Sequence, residues 1–63
     1  MLLKAYIKET VRENMPIWLA FVTDSAGTLV WSKSAMSDEG ARALINQYKR
    51  DHPRNNVEWG HLK

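Results

Sequence analysis

The chain has 63 residues, no cysteine and a formal net charge of +2. A domain of this size buries only about 60% of the surface that its unfolded chain exposes. Disulfides are excluded, and two histidines cannot complete a tetrahedral zinc site. We therefore expect one small domain over residues 1–63, without metal or cofactor, that is stabilised by close packing, by self-association or by folding against a partner.

The composition, 44% hydrophobic and 25% charged, is typical of a soluble globular domain. The longest run without charge, residues 14–23, is far shorter than the roughly 20 residues that span a bilayer. Lys4 and Lys8 interrupt any apolar core of a signal peptide. We therefore expect a cytoplasmic protein that does not bind a membrane.

Residues 2–14 fit either a helix or a strand. A helix places five side chains on one face, namely Leu3, Tyr6, Ile7, Thr10 and Val11. A strand places Leu3, Ala5, Ile7 and Val11 on one face, with Glu9 as the one violation. Three pairs four residues apart carry like charges, which disfavours the helix by a few tenths of a kcal/mol each: Lys4/Lys8, Lys8/Arg12 and Glu9/Glu13. Good helix formers and the violation by Glu9 favour the helix.

A β-hairpin is predicted for residues 17–23 and 28–32, which are rich in β-branched and aromatic side chains. Asp24 favours entry into the intervening turn, and Gly27 can adopt a left-handed conformation there. Alternation places Ile17, Leu19 and Phe21 on one face and Trp18, Ala20 and Val22 on the other. Both faces are apolar, so both need a cover. We expect a helix on one face and the N-terminal segment or a second copy of the chain on the other.

A helix is predicted over residues 38–51. Ser37 is a good N-cap, and Asp38 and Glu39 place negative charge at the positive end of the helix dipole. Pro53 ends the helix. Residues 57–62 then predict a short strand beside the hairpin. The expected fold class is α+β, an α-β-β-α arrangement with a short C-terminal strand around a β-β-α-β core.

Residues 17–51 resemble the small domain of phage integrases that binds arm-type DNA sites. The resemblance lies in the turn Asp24-Ser25-Ala26-Gly27 and in the helix start Ser37-Asp38-Glu39-Gly40-Ala41. The β-β-α-β order also resembles small domains of the antitoxin and double-stranded-RNA-binding-like kind. The integrase family reads DNA with a polar, basic sheet face, whereas the hairpin here offers only Lys33. For that reason no function is carried over.

No catalytic motif, phosphate-binding glycine loop or dinucleotide fingerprint is present in the sequence. We therefore predict that the chain is not an enzyme and has no small-molecule substrate. The excess positive charge is concentrated near the end of the predicted helix, in Lys49, Arg50, His52 and Arg54. These side chains are a candidate nucleic-acid patch, although cations at a helix C-terminus are also explained by the helix dipole.

A candidate surface for a protein partner or a homodimer combines the second hairpin face with the last tryptophan: Trp18, Ala20, Val22, Val30 and Trp59. Tryptophan is enriched at interface hot spots, and it also packs in the cores of small domains. Short, cysteine-free chains of this kind are typical of phage or bacterial accessory proteins. The sequence therefore predicts a small regulatory module that binds a protein or itself, with nucleic-acid binding as the alternative.

Overall fold

A computed structural model describes residues 2–60. The elements follow in the order β1 (Leu2–Arg12), β2 (Met15–Thr23), β3 (Leu29–Ala35), α1 (Asp38–Asp51) and β4 (Asn56–Trp59). The strands form one four-stranded mixed sheet in the order β3-β2-β1-β4, and α1 packs against one of its faces. The described chain is thus a small α+β domain with one helix.

The N-terminal helix predicted for residues 2–14 is wrong. Residues 2–12 form β1, which pairs antiparallel with β2 from Lys4 opposite Thr23 to Arg12 opposite Met15. A strand weakens the repulsion within the like-charged pairs, because residues four apart in sequence are then about 13 Å from each other. Glu9 interrupts the apolar pattern at no cost, since its side chain is exposed. The α-β-β-α layout is therefore corrected to β-β-β-α-β.

The turn between β1 and β2 consists of Glu13 and Asn14, whose φ angles are 52° and 64°. Two consecutive left-handed residues are the geometry of the type I′ hairpin turn, whose twist matches that of the strands. Asn tolerates this conformation well and Glu does not. The turn therefore forms although one of its two residues is poorly suited to it.

The predicted hairpin of β2 and β3 is confirmed. Gly27 has a φ of 86°, and the Asp24 carboxylate accepts hydrogen bonds from the backbone N–H groups of Ala26 and Thr28, both at 2.9 Å. The register shifts by one residue between Val22 and Thr23. Strand β2 begins two residues earlier than predicted, at Met15, where it pairs with β1, and β3 begins one residue later, at Leu29, and continues to Ala35.

The predicted helix is confirmed with the expected bounds. The Ser37 hydroxyl accepts a hydrogen bond from the backbone N–H of Gly40 at 3.0 Å. At the other end, the backbone N–H of His52 donates to the carbonyl of Tyr48 at 3.0 Å. Pro53 follows directly, where the helix cannot continue.

The last strand exists, but its place in the sheet differs from the prediction. β4 pairs in parallel with β1, from Leu2 opposite Asn56 to Ala5 opposite Trp59, and not with the strands of the predicted hairpin. The long β1 lies between them. The strand was predicted to reach residue 62, and residues 61 and 62 lie outside the described residues.

The core lies between α1 and one face of the sheet. Its buried members are Leu3, Ala5, Ala20, Val22, Ala41, Ile45, Tyr48 and Val57. Alanines on both the sheet and the helix let the two layers approach closely, and Ile45 and Tyr48 fill the remaining space. Within residues 2–60, no helix has the length and apolar character needed to cross a membrane.

Candidate interaction surface

The second face of the sheet has no covering layer among residues 2–60. Alternation along the strands places Tyr6, Ile17, Leu19 and Phe21 on this side, opposite to α1. The rings of Tyr6 and Phe21 stack, with their centroids 5.2 Å apart and an interplanar angle of 20°. We call this side the open face. Because its centre is aromatic and aliphatic, it differs from the polar outer face of an ordinary two-layer domain.

Burial on the open face is incomplete. Ile17 is 8% exposed, whereas Tyr6, Leu19 and Phe21 are half-buried. These side chains shield one another only from the sides, since no second layer lies above them in the described chain. The open face therefore exposes a part of each of Tyr6, Leu19 and Phe21 to solvent.

The cations of the open face lie on one strand, and Glu58 of β4 lies opposite Lys4 on the same face. Lys4, Lys8 and Arg12 alternate along β1 on the same side as Tyr6, and all three are exposed. On β3, Ser32 lies opposite Phe21 and Ser34 lies opposite Leu19. The open face is therefore an apolar stripe on β2 between a cationic strand and a strand that carries hydroxyl groups.

The structure does not bring the five residues of the predicted partner surface together on one exposed surface. Ala20 and Val22 lie beneath α1 with no exposure, and Trp18 packs against the same core. The structure therefore covers these three with the chain's own helix. Ala5 and Ala20 lie at the centre of this face, and their small side chains let the helix approach the sheet closely.

The other two members remain accessible, but they do not form a patch with the first three. Val30 is 47% exposed beside the register shift of the β2–β3 hairpin. Trp59 is 41% exposed on the helix side, and the guanidinium of Arg42 lies 5.5 Å from the centroid of its ring. Arg42 also pairs with Asp38 at 3.0 Å, so it links the first turn of α1 to β4.

A ladder of three aromatic rings, tilted between Trp31 and Tyr48 and stacked between Tyr48 and His52, ends at the predicted nucleic-acid patch. The centroids of Trp31 and Tyr48 are 5.1 Å apart, and those of Tyr48 and His52 are 4.3 Å apart. Nδ1 of His52 lies 3.1 Å from the carbonyl oxygen of Tyr48, and because a carbonyl can only accept, this nitrogen donates. The ladder fixes the exposed His52 ring against the end of α1.

The fold brings one further cation to this patch. Lys33 of β3 lines a small depression together with His52 and Asp51, next to the ring of Trp31. The other cations of the patch are close to His52 in sequence, namely Lys49, Arg50 and Arg54. Sequence reasoning missed Lys33 because β3 and the end of α1 meet only in the folded chain.

The depression itself is small, about 70 Å³ in volume. A drug-sized ligand needs several hundred Å³. Among residues 2–60, no group of three or more acidic, histidine or cysteine side chains is placed to hold a metal ion. The two features that this structure offers for recognition are therefore surfaces, namely the open face and the basic end of α1.

Comparison of the chain with protein-family models, with curated proteins and with solved structures finds no match. The open face and the basic end of α1 are therefore the features from which a function can be inferred.

The members of the open face were visible in the sequence only in part. Alternation placed Ile17, Leu19 and Phe21 together, but the prediction assigned Tyr6 to a helix and so missed its stacking on Phe21. The strand alternative for residues 2–14 would have revealed this stacking, because a strand places Tyr6 on the other face from Ala5 and Ile7.

Proposed function

We propose that the chain is a small, non-enzymatic interaction domain that buries its open face against a protein. The observation that carries the proposal is that α1 covers one side of the sheet and no described residue covers Tyr6, Leu19 and Phe21 on the other. Each of these side chains still exposes part of its apolar surface, and burying that remainder contributes about 25 cal/mol per Å² to binding. A regulatory module would contact its target through this face.

Photo-cross-linking in the cells that express the chain tests this proposal. Ser34 is exposed on the open face next to Leu19, so benzoylphenylalanine in its place probes that face without disturbing the core. We expect covalent adducts from position 34 that are lost when Leu19→Lys is added. Benzoylphenylalanine at Asn46, which is exposed on α1, is the control. Equal adduct yields at the two positions, or none at position 34, would contradict the proposal.

A second candidate function is the binding of single-stranded nucleic acid at the basic end of α1. Two features favour it, namely that Lys33 and His52 line the same depression and that the ring ladder holds the exposed His52 ring in place. Single-strand binding surfaces combine a cationic groove with rings on which bases stack. Together with Lys49, Arg50 and Arg54, Lys33 would give four cations against Asp51.

Fluorescence anisotropy with a labelled single-stranded oligonucleotide tests this second candidate function. With four phosphate contacts, the dissociation constant should rise about 50-fold when monovalent salt increases from about 50 to about 200 mM. Lys49→Ala, Arg50→Ala and Lys33→Gln should each weaken binding, whereas Lys8→Gln on the open face should not. Absence of binding at the lower salt concentration would remove the candidate.

A further inference from the structure

The strands give the open face more positive than negative charge. Alternation along β1 places Lys4, Lys8 and Arg12 on this face, and β4 adds the carboxylate of Glu58 opposite Lys4. Strands β2 and β3 direct no charged side chain to the same side. Three cations against one carboxylate leave the face with a net charge of +2. A complementary partner is therefore anionic.

The cationic row, formed by Lys4, Lys8 and Arg12, is accessible to a partner's carboxylates. All three side chains are exposed, and no ion pair within residues 2–60 involves them. They recur at every fourth residue of β1, about 13 Å apart, so the row is about 26 Å long. The apolar stripe of β2 runs beside it at one strand spacing, about 4.8 Å away. The face thus presents a charged row and an apolar stripe that are adjacent and parallel.

The pairing of the strands determines which element can lie on this face. Strand β2, which carries the apolar stripe, is paired with β1 on one side and with β3 on the other, so it offers no backbone groups to a further strand. An α-helix satisfies its own backbone hydrogen bonds. The other side of the sheet is covered in this way by the 14 residues of α1. A second copy of the chain is disfavoured, because each copy would bring the same positive charge to the contact.

The aromatic rings of the open face favour a protein over a nucleic acid as the anionic partner. Single-stranded nucleic acids stack their bases on exposed ring faces. Here Tyr6 and Phe21 stack on each other with their centroids 5.2 Å apart, so each ring covers one face of the other. The stripe of Ile17, Leu19 and Phe21 suits the aliphatic side chains of an amphipathic helix instead.

We propose that the open face binds an acidic amphipathic α-helix of a partner protein. The apolar side of that helix lies on the stripe of β2, and carboxylates along one of its edges pair with the cationic row. The inference rests on the proposed interaction function and names the chemistry of its partner. A helix of about 18 residues matches the length of the row at about 1.5 Å per residue. Because the ion pairs lie beside the apolar contact and not within it, they determine the orientation of the helix and its rate of association more than its affinity.

Titration of the full chain with a labelled helical peptide tests the chemistry of the partner. The probe has about 18 residues, with leucine and alanine on one side and glutamate along both edges of that side. A second peptide carries lysine in place of every glutamate. We expect the acidic peptide to bind at least about 10-fold more tightly than the basic one at about 50 mM salt, with a smaller difference at about 500 mM. Equal affinities for the two peptides, or no binding of the acidic one, would overturn the proposal.

Two charge reversals test whether the cationic row makes the contact. Lys8→Glu should raise the dissociation constant of the acidic peptide about 10-fold, because it replaces an attraction by a repulsion at the middle of the row. Lys33→Glu is the matched control, since Lys33 is exposed on the helix side of β3, and it should change the constant by less than about 2-fold. Circular dichroism checks that both variants are folded. Equal effects of the two reversals would contradict binding at the row.

Methyl resonances show where the peptide lies and whether a nucleic acid can take its place. The acidic peptide should shift the methyl signals of Ile17 and Leu19, whereas those of Ile45, which is buried beneath α1, should stay unchanged. A single-stranded oligonucleotide at about 150 mM salt should leave the signals of Ile17 and Leu19 in place. Shifts of these signals with the oligonucleotide and none with the acidic peptide would replace the helix by a nucleic acid.

Cross-linking from position 34 separates the failure of this inference from the failure of the proposed function. Mass spectrometry of the adducts formed in cells identifies the segment of the partner that lies on the open face. Adducts within an acidic amphipathic helix support the inference. Adducts within a segment of another kind would overturn it and leave the interaction function standing, whereas the absence of adducts would overturn both.

Discussion

Gly60 lies directly against the ring of Tyr6. A Cβ atom placed on Gly60 would overlap the Cε1 and Cζ atoms of the ring and would lie 2.9 Å from its Oη. The backbone N–H of Gly60 also donates to the carbonyl of Ala5 at 2.8 Å, one residue before Tyr6. The residue after β4 is thus held between the backbone of β1 and the largest ring of the open face. Here glycine is required by the close approach.

Gly60→Ala is therefore expected to destabilise the domain by about 1–3 kcal/mol, the usual cost of overpacking. Urea unfolding followed by tryptophan fluorescence measures the change. Adding Tyr6→Leu removes the ring that the methyl group meets, so the penalty of Gly60→Ala should be smaller in the Tyr6→Leu background. Equal penalties in both backgrounds would show that the ring is not the cause.

Glu13→Asn should stabilise the domain by about 0.5–1 kcal/mol, because Asn adopts the left-handed conformation of this turn position at a lower cost than Glu. The shift is measured as a rise in the urea midpoint at constant slope. Glu13→Gln is the control, since it removes the same charge without the turn preference. If both variants stabilise equally, the gain comes from charge and not from the backbone.

Ser37→Ala should lower the free energy of unfolding by about 1 kcal/mol through loss of the hydrogen bond to the N–H of Gly40. Ser34→Ala, an exposed serine on β3, should change it by less than about 0.5 kcal/mol. Helical ellipticity during thermal unfolding measures both. Equal effects would show that the cap contributes nothing beyond the loss of a hydroxyl group.

Ile45→Ala should cost about 2–5 kcal/mol, because Ile45 is fully buried between α1 and the sheet. A domain of 63 residues has a total stability of about 3–9 kcal/mol, so this variant should be largely unfolded or close to it at room temperature. Ile45→Val, which removes one methylene group, should cost about 1 kcal/mol and remain folded. A cooperative wild-type-like transition for Ile45→Ala would contradict the position of the core.

The parts of the fold that the sequence predicted are those whose signals are local. The N-cap at Ser37 and the stop at Pro53 determined the ends of α1, and the left-handed Gly27 marked the β2–β3 turn. Strand β1 was missed because its conformation is decided by partners on both sides. One of these partners, β4, lies at the far end of the chain.

The same limit applies to the candidate surfaces. The apolar alternation of β2 showed that two faces needed covering, but not which face α1 would cover. That choice depends on Ala5 from β1, which lies opposite Val22 beneath the helix, and so on a strand pairing that the sequence does not display. In the same way, the neighbourhood of Lys33 and His52 exists only after β3 and α1 have packed.

The parallel pairing of β1 with β4 has a consequence for the order of folding. The meander of β1, β2 and β3 joins neighbours in sequence through short turns, so it can form early. Once the meander has formed, docking of β4 closes the segment of residues 36–55, which contains α1, so this pairing is expected to form last. During synthesis on the ribosome, the edge of β1 that β4 later occupies is exposed until the last strand has emerged. In that interval the nascent chain presents an unpaired strand edge to its neighbours.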